Sequence, residues 1–191
     1  MKKIGITGGI GSGKSTVVRL IRFLGYPVYE ADFEAKRLIN EDVALKDKIV
    51  SLLGAEAYTE SGYNRSYVAR QVFNNRDLLQ QLNSIVHPAV RAHFEAWCRR
   101  NAASDLVFQE AAILFESGGH TAFDATLLVT APQDMRIQRV VKRDGLAPHQ
   151  VEARISNQWS DKQKADLADF VLQCDGRHLV IPQVLAILKQ L

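Results

Sequence analysis

The chain has 191 residues, 47% hydrophobic and 24% charged, which is enough for one sizeable core with a small appendage and suits a protein in water. Its formal charge of +3 at pH 7 is mild and spread along the chain, so neither a nucleic-acid footprint nor a membrane patch is demanded. Lys2 and Lys3 lead into glycines, not an apolar leader, and the apolar run 179–188 is interrupted by Pro182 and Gln183; cytoplasm is the expected compartment. Cys98 and Cys174 offer neither a disulfide framework nor a C-x-x-C spacing, so two packed, reduced thiols are expected.

Taken in order, Lys3-Ile4-Gly5-Ile6-Thr7 reads as a short buried strand. It runs into Gly8-Gly9-Ile10-Gly11-Ser12-Gly13-Lys14-Ser15, which meets the pattern G-x-x-x-x-G-K-[ST] at every fixed position. Four glycines in six positions let the backbone curl so that successive N–H groups converge on phosphate oxygens. Lys14 then offers a charge to the β- and γ-phosphates and Ser15 a hydroxyl to Mg²⁺. Val17, Leu20, Ile21 and Leu24 follow at helical spacing, with Gly25 placed to end the helix. A strand, a glycine turn and a helix N-terminus together form a triphosphate site, with Gly11, Ser12, Gly13, Lys14, Ser15 and Thr16 as its candidate contacts.

Pro27-Val28-Tyr29 reads as a second strand, and Asp32 follows it by two residues. Because strand ends of a parallel sheet share one edge, its carboxylate is expected to face the cleft of Lys14 and to accept or orient a hydroxyl proton; capping the next helix is the alternative. From Asp32 to about Ser104 the pattern is almost wholly helical. Leu78, Leu82, Ile85 and Val86 give one stripe and Val90, Phe94 and Trp97 another, with His87-Pro88 expected to divide two helices. Arg65 and Arg70 flank Tyr67 there, suited either to an anionic acceptor or to simple exposure.

Leu106–Gln109 reads as a third strand closed by Glu110, an acid placed to act on Mg²⁺; Glu116, further on, is a second metal-shell candidate, and solvated or capping acids are the alternative for both. Ala125–Thr130 gives a fourth strand and Phe170–Gln173 a fifth. Between them, Arg136, Arg139 and Arg143 share one helix side, as a solvated stripe or as groups that stabilise charge during transfer. Arg154, Gln158, Lys162 and Lys164 extend that basic character through a second excursion that reads as a mobile cover. Trp97 and Trp159 read as packing residues.

The whole pattern is that of an α/β fold, a parallel five-stranded sheet covered by helices, because the strands are apolar on both faces. The nucleotide core is expected over 1–31, 105–138 and 165–191, a helical insertion over 32–104 above the carboxyl edge of the sheet, and a lid over 139–164.

These residues carry a family resemblance. Residues 5–16, Ala31-Asp32, His87-Pro88, Ile113-Leu114-Phe115-Glu116, Arg139 to Arg143-Asp144-Gly145, Arg154 to Gln158 and Ala168-Asp169 stand in the order found in dephospho-CoA kinases, across nearly the whole chain. The resemblance implies a P-loop kinase that uses ATP and Mg²⁺ to phosphorylate the ribose 3′-hydroxyl of dephospho-CoA, the final step of coenzyme A synthesis. It implies Asp32 as base, Lys14 and Arg139 as transition-state contacts, Ser15 and Glu110 at the metal, and an acceptor platform that includes Asp32, Arg65 and His87. No nucleic acid, membrane or obligate protein partner is implied. The chain departs from the family's usual Asp-x-Pro at Glu110-Ala111-Ala112, and Cys174 replaces the usual Asn near the last strand.

Three other readings set the contrast. A shikimate or nucleoside monophosphate kinase shares the loop but not His87-Pro88 and the lid motifs. A GTP-dependent switch needs Asn-Lys-x-Asp, which Asn75-Arg76 does not provide. A nucleic-acid ATPase calls for a broader basic footprint.

Overall fold

The computed structural model describes residues 1–73 and 75–191. In chain order its elements are β1 (Lys2–Thr7), α1 (Lys14–Phe23), β2 (Val28–Glu30), α2 (Ala31–Glu41), α3 (Val43–Leu53), β3 (Tyr58–Thr59), β4 (Gly62–Tyr63), α4 (Arg65–Val72) and α5 (Arg76–Arg100). Then follow β5 (Leu106–Glu110), β6 (Ala125–Thr130), α6 (Gln133–Asp144), α7 (Pro148–Ser156), α8 (Asp161–Ala165), β7 (Phe170–Gln173) and α9 (Val180–Leu188). The chain divides into two units, one of Met1–Glu30 with Asn101–Leu191 and one of Ala31–Arg100.

The first unit is built on a five-stranded sheet in the order β2-β5-β1-β6-β7, every neighbouring pair parallel. Alternate residues of each strand, Ile4 and Ile6, Leu106 and Phe108, Leu127 and Val129, with Leu172, form one buried cluster with Val17, Val18 and Ile21 of α1 and Val184 and Ile187 of α9. That is the period of two expected of a pleated strand, and each such side chain contributes about 1.5–3 kcal/mol on burial. Because all five strands run the same way, the carboxyl ends of β1 and β5 reach one edge together, with Ile6 in register with Glu110. The phosphate motif leaves the sheet at that edge. Pro182 falls in the first turn of α9, where its missing N–H costs no intrahelical bond.

The second unit has its own core, in which Leu38, Leu45, Ile49, Leu53, Val68, Leu82 and Val86 of its four helices meet. One sequence expectation is corrected here. His87-Pro88 does not divide two helices: α5 is continuous through Pro88 over 25 residues. Proline removes one ladder bond, but Leu82, Val86, Phe94 and Cys98 are all buried along the helix, and burial on both sides of the proline outweighs that loss. The insertion is almost wholly helical, as expected, apart from Tyr58–Thr59 and Gly62–Tyr63, which pair as a small antiparallel hairpin. Its two tyrosine rings meet edge-on at 5.5 Å, and the Tyr58 hydroxyl donates to the Ile39 carbonyl at 2.7 Å.

Candidate active site

The phosphate motif forms a cradle between β1 and α1. Gly13 stands at φ 102°, a left-handed conformation that a side chain would strain, and starts α1 with no side-chain cap. The first N–H groups of the helix therefore remain for an anion, with the positive end of the helix dipole behind them. Gly9 is needed for a different reason. A Cβ there would lie 2.1 Å from the Arg136 guanidinium, which lies directly against the loop backbone.

A cavity of about 450 Å³ opens over this cradle, lined by residues 8–16 with Arg19, Ala112, Arg139, Val140, Arg143 and Gln158. Lys14 points to Glu110, the last residue of β5, and the two form an ion pair with side chains only 15% and 10% exposed. Arg139 reaches across from α6 and donates to the carbonyls of Gly11 at 3.2 Å, Ser12 at 3.3 Å and Cys174 at 2.7 Å. With the Ser12 carbonyl turned toward that cation, the Gly13 N–H on the same trans peptide is aimed the opposite way. Cys174 is buried, burial pushes its thiol pKa up, and its side chain packs 3.0 Å from where a Cβ on Gly13 would stand.

The three arginines of α6 are therefore neither a uniform solvated stripe nor a uniform cluster on the cavity. Arg136 is buried, donating to the Ile10 carbonyl at 2.9 Å and pairing with Asp161 at 3.1 Å. Arg143 makes two bonds to the adjacent Asp144, at 2.6 and 2.9 Å, from the rim of the cavity. The basic character expected of the cover also needs correction at Lys164, which is fully buried and ion-paired to Glu116 at 2.7 Å. Glu116 is accordingly committed to Lys164 and to the Trp159 backbone N–H. Trp159 is 41% exposed, so it is not the packing residue that its size suggests.

The first unit thus gathers the loop residues 11–16 with Lys14, Ser15, Glu110 and Arg139. Asp32, Arg65 and His87 all lie in the second unit, on three different helices. Asp32 is exposed in the first turn of α2, Arg65 opens α4, and His87 sits midway along α5. Partial burial and the Arg91 guanidinium push the His87 imidazole below its ordinary pKa. Sequence reasoning missed the reach of Gln158, whose side-chain oxygen accepts from the Ile10 N–H at 2.9 Å across 148 positions. Only its i, i+4 spacing from Arg154 marked it.

Among the described residues no three His, Cys, Asp or Glu side chains gather as a metal cluster. The oxygen donors of Ser15 and Glu110 nonetheless suit Mg²⁺, which takes few protein ligands and completes its shell with water and phosphate. No described helix is long and apolar enough to cross a membrane.

A parallel sheet whose central strand feeds a glycine cradle, with a lysine and arginines around one cavity and a carboxylate paired to the lysine, defines a P-loop kinase. A crystal structure of a Thermus thermophilus protein is similar over 100% of this chain and 97% of its own, with 37% identity and a TM-score of 0.88. The shikimate kinase of Acinetobacter baumannii shares the fold alone, at 15% identity and a TM-score of 0.51 over 100% of this chain and 92% of its own. The dephospho-CoA kinase of Salinibacter ruber is 44% identical over 180 residues, covering 92% of this chain and 90% of the relative. The family model for dephospho-CoA kinase matches residues 2–179. The chain belongs to the dephospho-CoA kinase family, and its activity is the kinase step that completes coenzyme A synthesis.

Proposed function

We propose that this chain moves the terminal phosphoryl group of ATP onto the ribose 3′-hydroxyl of dephospho-CoA, releasing ADP and CoA, with the following division of labour. Residues 11–16 hold the phosphates, and the Lys14 ammonium and Arg139 offset charge on the transferring group. Arg139 has five N–H donors and three contacts to carbonyls, so donors remain for a phosphate oxygen. Asp32 orients the acceptor hydroxyl and takes its proton. Arg65 and His87 contact the acceptor, whose platform is the unit Ala31–Arg100. Residues 139–164 act as the cover.

Ser15 and Glu110 hold Mg²⁺, which when bound neutralises charge on the β- and γ-phosphates. The enzyme works in the cytoplasm without an obligate protein partner; its two cysteines are buried and form no disulfide among the described residues, which suits a reducing compartment. The observation that carries this reading is the convergence of Lys14, Arg139 and the glycine cradle on one cavity, with Glu110 paired to Lys14, in a chain of this family.

The test is the Asp32→Ala variant with product analysis. Loss of the base lowers kcat by about 10²- to 10⁴-fold while the affinity for ATP stays near that of the parent protein. A variant that keeps near-normal kcat reduces Asp32 to a helix-end residue.

A further inference from the structure

Both main-chain groups of one phosphate-loop residue, Ile10, are held, one by the turn between α7 and α8 and the other by Arg136 of α6. The Ile10 N–H donates to Gln158 Oε1 at 2.9 Å, and the Ile10 carbonyl accepts from Arg136 Nε at 2.9 Å. Arg136 is in turn held by Asp161 at 3.1 Å, three residues beyond Gln158. The peptide that carries the Ile10 N–H is also held at its other end, because the Gly9 carbonyl accepts from the Ser12 N–H at 3.1 Å. The turn itself is tied down where the Trp159 N–H donates to Glu116 at 3.3 Å.

These bonds decide where the loop amides point. With the Ile10 carbonyl drawn to Arg136, the N–H of Gly11 on the same trans peptide is aimed the opposite way, toward the cavity that Gly11 lines. The Ile10 N–H is meanwhile withheld from the anion by an amide oxygen. Since an N–H must meet an acceptor, the Gln158 side chain is fixed with its oxygen toward the loop and its NH₂ turned away. Without Gln158 the Gly9–Ile10 peptide keeps only the Ser12 N–H at its carbonyl end, and the turn no longer holds its N–H end.

We infer that Gln158 is a positioning residue for phosphoryl transfer: through the Ile10 N–H it holds the phosphate loop in its anion-receiving arrangement, so the α7–α8 turn sets the loop. The inference rests on the kinase reading above but has a readout of its own.

The experiment compares the full chain with Gln158→Met, which keeps the volume and loses the acceptor, and Gln158→Glu, which keeps the acceptor. Amide hydrogen exchange at Ile10, read by NMR without nucleotide, is expected to be about tenfold faster in the Met variant and to return toward the parent rate in the Glu variant. The kcat for CoA formation in the Met variant is expected to fall about tenfold or more, with KM for dephospho-CoA within about twofold of the parent. Unchanged Ile10 exchange in the Met variant overturns the inference, as does faster exchange with an unchanged kcat. A parent protein that makes no CoA overturns the kinase reading instead, and the exchange comparison still decides whether Gln158 holds the loop.

Discussion

Lys14, which lines the phosphate cavity, forms an ion pair with Glu110, joining the lysine of the glycine motif to the last residue of the neighbouring strand. The pair holds the ammonium at the carboxyl edge of the sheet before any triphosphate arrives. The same carboxylate is the proposed partner of Mg²⁺, so one side chain serves the lysine and the metal in turn.

Glu110→Gln is expected to lower kcat about tenfold or more and to raise the Mg²⁺ concentration needed for half-maximal rate. Glu110→Asp keeps the charge and restores the family's usual residue, and is expected to stay within about threefold of the parent rate. Initial rates over a Mg²⁺ titration check both. An unchanged Mg²⁺ dependence in the Gln variant removes Glu110 from the metal.

Gly9→Ala places a methyl where the Arg136 guanidinium now lies, 2.1 Å away. A free arginine would swing aside, but this one is held by the Ile10 carbonyl and Asp161. The expected result is displacement of the loop and about a tenfold or greater loss of ATP affinity, measured by calorimetry. Full ATP affinity in this variant contradicts the contact.

Lys164 is fully buried and pairs with Glu116, whose second oxygen is buried without a hydrogen-bond partner. Lys164→Met alone strands the carboxylate and is expected to cost about 3–5 kcal/mol, whereas Lys164→Met with Glu116→Leu recovers most of that loss. Denaturant melts of the two variants measure the difference. Equal losses in the single and the double variant show that packing, not charge, governs this position.

The histidines of the second unit set a pH dependence. Burial, with Arg91 at one site and a balance of Glu34, Arg37 and Arg100 at the other, pushes the pKa of His87 and of His93 below 6.5. The unfolded chain then binds more protons as the pH falls through 6.5, so stability is complete above that value and declines as the pH drops through the depressed pKa values. Thermal melts at pH 7.5, 6.5 and 5.5, roughly spanning ordinary histidine titration, are expected to show the decline, and His87→Gln with His93→Gln to flatten it. A double variant with the parent's slope assigns the dependence elsewhere.

The parts of the fold legible in the sequence are those written in local periodicity. The loop 8–15 and the five strands of the sheet follow from glycine spacing and apolar runs, because each is decided within a few residues. Where a distant partner decides, local pattern gives the wrong or an incomplete answer. Pro88 reads as a break until the buried stripe on both sides of it is seen to hold α5 together. Strands of two residues, such as Tyr58–Thr59, are too short to show alternation. Lys164 reads as surface charge because its partner Glu116 lies 48 positions away, and Gln158 reads as part of the cover because Ile10 is at the other end of the chain. The sequence marks Lys14, Glu110 and Arg139, which all lie in the first unit, but it does not show the contacts that hold the loop.

The most direct test of the account is an acceptor panel with the purified chain, ATP and Mg²⁺, scored for ADP and phosphorylated product. The account predicts CoA from dephospho-CoA, no turnover of shikimate or nucleoside monophosphates, and loss of CoA formation in Lys14→Ala. Turnover of one of the other acceptors in place of dephospho-CoA, or full CoA formation without the Lys14 ammonium, would contradict it.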